Sequence, residues 1–255
     1  MSARSHASCV RTLQAMSRAP EQPKDPIRWC AALALAFLLG CLPFLTVVTH
    51  PYFDEVHYLP AAREFLTLGT FINREHPLVG KELIALGIAL FGDNPWGWRL
   101  LPTLFGTLAL FAAMRALWFG TQSRFATLSY GVLVATGFHL FIHARIAMLD
   151  IFYLTFLCVA AWQFAGAIRQ PEQGRWRLAL TGIALGLAMG AKWNAITVAM
   201  LPGLVFFFAR AAAGRRRLFL SRRAPSRLNW RTAIPSPGCS MTTGASRSVP
   251  LRDHK

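Results

Sequence analysis

Asp54 and Glu55 are adjacent in Pro51-Tyr52-Phe53-Asp54-Glu55-Val56-His57-Tyr58, directly after the first long apolar run. Neighbouring carboxylates at a membrane-water boundary suit general-base work on an alcohol. One accepts a proton while the other orients the acceptor or raises its neighbour's basicity by repulsion. The pattern alone equally allows solvated loop acids. His76-Pro77-Leu78-Val79-Gly80-Lys81 follows, a proline turn, a glycine and a cation ahead of a second apolar stretch. A cation at that depth can meet a lipid phosphate and match the charge that develops on a phosphate leaving group, or it can be a lysine snorkelling to the headgroups. Arg99, after Trp96 and Trp98, carries the same two readings. Arg145 and Asp150 can pair with each other across a short turn or with the loop above, and Lys192-Trp193 alone reads as an interface anchor. His139 and His143 lie four apart, a metal-ligand spacing, but two ligands make no site, and packing or hydrogen bonding accounts for them.

The elements that must position these groups are helices in a membrane. The chain has 255 residues, 54% of them hydrophobic and 15% charged, with several apolar runs of about twenty residues, the length that crosses a bilayer. Lipid cannot satisfy backbone groups, so each run is helical. The fold class is therefore all-α, a multi-span integral membrane protein. Six spans are expected at 29–49, 97–118, 125–143, 149–168, 177–191 and 195–210. The domain organisation is a basic cytoplasmic segment 1–28, a six-span body 29–210, and a basic tail 211–255.

The net charge of +16 concentrates outside the body: basic residues outnumber acids by five to two over 1–28 and by ten to one over 211–255. Basic flanks on an apolar body face anionic lipid, and with no nucleic-acid motif visible the expected partner is membrane lipid, not nucleic acid. By the positive-inside rule, Arg11 to Arg28, the Arg115/Arg124 connection, the Arg169 to Arg177 connection and Arg210 to Arg217 are cytoplasmic. Asp54-Glu55, His76 to Lys81, Arg145 to Asp150 and Lys192-Trp193 then share the extracytoplasmic face.

The first external loop, 50–96, is patterned. Pro60 suits the first turn of a short helix that Gly69 could close, and 83–91 is an apolar stretch too short to span. Both read as interfacial helices able to roof a cavity. Gly182, Gly186 and Gly190 form a seam for close packing inside the bundle. Cys9, Cys30, Cys41, Cys158 and Cys239 have no paired spacing and read as small hydrophobes. Residues 211–255, rich in Arg, Ser and Pro, read as a disordered basic tail or as a frame-shifted or truncated continuation.

Taken in order, Phe53-Asp54-Glu55, His76-Pro77-Leu78-Val79-Gly80-Lys81 with Leu83 to Gly87, Gly97-Trp98-Arg99-Leu100, Ala144 to Asp150, and Gly186 through Lys192-Trp193 resemble the amino-terminal half of the protein O-mannosyltransferase family over residues 28–210. The resemblance implies a C-type glycosyltransferase-like transmembrane core. It implies inverting transfer of mannose from a polyprenyl-phosphate-linked donor to Ser/Thr hydroxyls of an exported protein acceptor, with no cofactor and no metal. By that resemblance Asp54 is the catalytic base and Glu55 helps hold the acceptor. Arg99 and Lys81 supply charge near the carrier phosphate, with His76 in the same loop, and Arg145, Asp150 and Lys192 support the pocket. Leu78 stands where the family commonly has a second proline, and family members continue through further spans. Two alternatives stay open: an aminoarabinose-type transferase acting on a glycolipid, and a catalytically inactive membrane fragment. A transporter fits less well, because transporters place polar groups midway along broken helices.

Overall fold

The structure, a computed structural model, describes residues 23–70, 72–205, 207, 208 and 211. Residues 1–22 of the expected basic segment and 212–255 of the expected tail, with Cys9 and Cys239, lie outside the described residues. The chain divides into a unit Met1–Phe206 and a unit Phe207–Lys255, and the first contains the helical bundle.

Every regular element among the described residues is helical: α1 (Ile27–Cys41), α2 (Glu55–Leu66), α3 (Val79–Phe91), α4 (Pro95–Thr121), α5 (Arg124–Thr136), α6 (Phe138–His143), α7 (Leu149–Arg169) and α8 (Gly174–Ala191), then a shorter apolar helix α9 (Ala195–Val205). Three stretches are long and apolar enough to cross a membrane: Ile27–Phe44, Pro95–Thr121 and Leu149–Arg169. Their outward faces carry Leu35, Leu39, Leu104 and Leu108 exposed to the surroundings, which a lipid solvent accommodates and water does not.

Several boundaries differ from the sequence expectation, each for a local reason. The first helix stops at Cys41 and tightens into a 3-10 turn, Leu42–Phe44, instead of running to 49. Pro43 lacks an N–H and crowds the preceding turn, so the backbone after it leaves the helix with its carbonyls free. The third expected span is cut at Gly137, whose ψ of 128° is extended, giving α5 and the short α6. Pro60 sits inside α2, not at its start, because Asp54 and Glu55 begin the helix earlier. The left-handed residue that closes α2 is Leu68 (φ 54°), not Gly69. In the α8 seam, Gly182 and Gly186 have nothing within 4 Å of a Cβ position, and Gly190 alone packs, against Val79 of α3. The seam is thus open for most of its length.

Helix α4 is the axis of the fold, packing along α1, α3, α5 and α7, while α8 lies along α7 and α2 along α3. Its start is strongly specified. Asn94 accepts hydrogen bonds from the backbone N–H groups of Trp96 (3.0 Å) and Gly97 (3.3 Å), and Pro95 fills the first helical position. A Cβ at Gly97 would collide with the carbonyl oxygen of Gly92, and one at Gly87 with that of Gly97. Only glycine lets α3 and α4 approach so closely, and that approach fixes where Arg99 enters. Leu59, Ile84, Ala85, Trp98, Leu149 and Ile151 form the buried core beneath the loop helices.

Candidate active site

Asp54 and Glu55, neighbours in sequence, have opposite environments. Glu55 opens α2 with 0% exposure, whereas Asp54 is the half-buried N-cap residue whose side chain makes no cap. Consecutive residues at a helix start point in different directions. Both Glu55 oxygens are engaged: Oε1 accepts from Arg99 Nε (2.8 Å) and Ala147 N (2.8 Å), and Oε2 from Arg99 Nη2 (2.7 Å) and Tyr52 N (2.9 Å). Arg99 then donates Nη1 to the carbonyls of Leu45 (2.9 Å) and Val48 (2.5 Å), and Nη2 to that of His50 (3.2 Å). These carbonyls lie in the non-helical segment that follows the Leu42–Phe44 turn. All five guanidinium N–H groups are used, and the knot ties together the end of α1, the start of α2, α4 and the α6–α7 turn.

This geometry commits Glu55 and Arg99 to each other and to the backbone. Glu55 has no oxygen left over to hold an acceptor, and Arg99, 3% exposed, has no donor left over for a phosphate. Lys81 is likewise turned inward: it is 1% exposed, and its ammonium donates to the carbonyls of Asn73 (2.6 Å) and His76 (2.9 Å) of its own loop. Burial draws its pKa below the ordinary lysine range. The His76 ring meets Tyr58 edge-on at 5.9 Å, and its Nδ1 is buried without a hydrogen bond. Arg145 and Asp150 do not pair with each other. Asp150 holds Lys192 through both oxygens (2.8 and 2.7 Å), and Trp193 Nε1 donates to the Glu75 carbonyl (3.0 Å). Lys192-Trp193 therefore straps α8 to α7 and to the 72–78 loop.

Arg145 is different. Its Nε donates to the Phe141 carbonyl (2.9 Å), and its guanidinium carbon stands 4.0 Å from the Phe141 ring centroid and 5.3 Å from that of Phe44. Its terminal amino groups make no hydrogen bond to any described residue. Burial lowers its pKa from the arginine norm, though a guanidinium stays protonated. It borders a hollow of about 230 Å³ with Phe44, Val48, Tyr52, Arg99 and Ile146.

Asp54 is the unengaged acid. Its carboxylate makes no hydrogen bond or ion pair with a described residue, and it sits at the positive end of the α2 dipole. Tyr58, one turn on and 4% exposed, is not among the functional residues expected from the sequence; its spacing of four from Asp54 is the signal that could have found it. Burial, then the charges of Asp54 and Asp150, push its phenol up to about 12. It remains a neutral donor. His139 and His143 stack with ring centroids 4.2 Å apart, and His143 Nδ1 contacts the His139 carbonyl (2.8 Å). Among the described residues no group of three His, Cys, Asp or Glu is placed to hold a metal ion.

Comparison with known proteins agrees with the helical membrane architecture. A family described as dolichyl-phosphate-mannose-protein mannosyltransferase matches residues 90–221, a stretch with Arg99, Arg145, Asp150 and Lys192. A polyprenol-phosphate-mannose–protein mannosyltransferase of Corynebacterium glutamicum is 31% identical over 219 residues, 72% of this chain and 42% of the relative. One from Mycobacterium tuberculosis is 31% identical over 228 residues, 76% of this chain and 44% of the relative. An undecaprenyl phosphate-alpha-4-amino-4-deoxy-L-arabinose arabinosyl transferase of Pseudomonas fluorescens is more distant, 26% identical over 196 residues, 70% of this chain and 33% of the relative. No solved structure gives a significant match. The chain spans less than half the length of these curated relatives. With the family's region extending over half of its residues, the chain belongs to the dolichyl-phosphate-mannose-protein mannosyltransferase family.

Proposed function

We propose that this chain carries the acid-and-cation end of a glycosyltransferase that moves mannose from a polyprenyl-phosphate donor to a Ser or Thr hydroxyl of an exported protein. The observation that carries the reading is the unengaged Asp54 carboxylate, next in sequence to the saturated Glu55, whose partner Arg99 borders the same hollow as Arg145. Asp54 takes the proton of the acceptor hydroxyl as its oxygen bonds to the sugar's anomeric carbon from the face opposite the carrier. The bond from that carbon to the phosphate oxygen breaks, and the electron pair leaves with the carrier phosphate. Displacement from the opposite face inverts the anomeric centre. Phosphate leaves without a general acid when a cation matches its charge, and Arg145 is the described cation with free donors at this hollow. Glu55 and Arg99 position the machinery, while Lys81, Lys192 and Asp150 brace the surrounding loops; His76 borders Tyr58.

The cytoplasmic amino terminus, the extracytoplasmic site and the division into 1–28, 29–210 and 211–255 belong to this proposal, supported by the distribution of basic residues. The more distant match favours an aminoarabinose donor less than mannose. The test is transfer from polyprenyl-phosphate mannose to a Ser/Thr peptide, with donor binding read separately. Asp54→Asn should lower transfer by about 10²–10⁴-fold, the usual worth of a general base, and leave donor binding intact. Transfer that survives Asp54→Asn would overturn the assignment of the base.

A further inference from the structure

Helix α4 carries a second arginine, Arg115, sixteen residues beyond Arg99 and thus about 24 Å along the axis, close to a bilayer's hydrocarbon thickness away. Arg115 is 3% exposed and pairs through both terminal nitrogens with Asp25, just ahead of α1. Arg177 of α8 reaches the same place. Its Nη1 and Nη2 donate to the side-chain oxygens of Gln163 (3.0 Å) and Gln170 (2.7 Å), with no carboxylate partner among the described residues. The two guanidinium carbons lie 5.2 and 5.0 Å from the Phe119 ring centroid. Each arginine keeps a buried Nε without a hydrogen bond, so this wall holds positive charge that the described residues do not fully match.

Against that wall lies a hollow of about 860 Å³, bordered by Asp25, Trp118, Phe119, Arg169, Gln170 and Glu172. Its size suits a headgroup-sized ligand. The informative pair is Arg169 and Glu172. They are exposed, three residues apart and on one hollow, yet pair neither with each other nor with another described residue. An unpaired cation and an unpaired anion facing one space are complementary to a ligand with both charges. Buried guanidiniums behind Phe119 add attraction for its anionic half, and Glu172 suits an ammonium.

We propose that this hollow, at the end of the bundle opposite Asp54, binds the headgroup of a zwitterionic phospholipid, a phosphodiester bearing a primary ammonium. Arg169 takes the phosphate with Gln170 beside it, Glu172 takes the ammonium, and the acyl chains lie against the apolar faces of the helices. The site is independent of the sugar-transfer reading.

The test is native mass spectrometry of the full 255-residue chain, delipidated in detergent and offered phosphatidylethanolamine, phosphatidylglycerol or inorganic phosphate. Phosphatidylethanolamine should be retained in preference to phosphatidylglycerol. Glu172→Gln should erase that preference. Arg169→Gln should weaken retention of both lipids roughly tenfold, the loss of one charge-assisted contact. Both residues are exposed, so neither variant threatens folding. Equal retention of the two lipids by the unaltered chain, a preference that survives Glu172→Gln, or retention indifferent to Arg169→Gln would overturn the proposal. Inorganic phosphate competing away the lipid would assign the hollow to a soluble phosphate and overturn the lipid reading.

Discussion

Arg99 and Arg115 lie on one helix, each 3% exposed and each forked onto a carboxylate, yet their partners differ: Glu55 is 0% exposed and Asp25 has 42% of its side chain exposed. At the first end every donor of the arginine and both oxygens of the acid are matched, and three backbone carbonyls are collected as well. At the other end one buried Nε goes unmatched. A fully matched ion pair is a scaffold, because desolvated charges with complete partners hold one geometry and offer nothing to a ligand. An incompletely matched one is a place where a ligand can still contribute. The same contrast holds within the first site, where Glu55 is saturated and Asp54 is unengaged.

The largest test of this contrast is at the scaffold. Glu55→Ala should destabilise by about 3–5 kcal/mol, since it strands a buried guanidinium and several carbonyl contacts; thermal unfolding in detergent measures it. Asp25→Ala should cost on the order of 1 kcal/mol, because water can reach the half-exposed site and replace the carboxylate. Equal losses at the two ends would break the comparison.

An intermediate effect sharpens it. Arg145→Gln should weaken polyprenyl-phosphate binding by the worth of a charge-assisted hydrogen bond, about 1.5–3 kcal/mol, while leaving the unfolding midpoint little changed. Arg99→Gln should do the reverse, losing stability first. If both substitutions impair binding alone, Arg99 reaches the donor after all and the scaffold role is wrong.

The smallest effect is set by pH. Asp25 is held below its ordinary value of 3.8 chiefly by its hydrogen bond to Arg115, and Asp93 by Arg63 and Trp98. Such carboxylates stabilise the fold fully above about that value and lose the contribution as pH falls through the lowered folded value. The stability difference between the unaltered chain and Asp25→Asn should therefore shrink as the solution is acidified below 3.8. A difference that persists there would mean that shape, not charge, sets the Asp25 contribution.

The order of helices and the recurrence of polar groups at their ends were readable from apolar run lengths and from the adjacency of Asp54 and Glu55. Those are properties of neighbouring residues, and local backbone physics expresses them directly. The division of labour was not readable. Glu55 finds Arg99 44 positions away and the Ala147 N–H 92 positions away, and no local pattern encodes which of two adjacent acids turns toward them. Nor could spacing tell that Lys81 folds back onto its own loop while Arg145 stands free on two aromatic rings. Sequence by itself determined that this chain is helical, lipid-facing and charged at its helix ends, because hydrophobicity and capping act along the chain. Only the tertiary structure decided which charges are matched and which remain available, because matching a buried charge takes partners that only folding brings together.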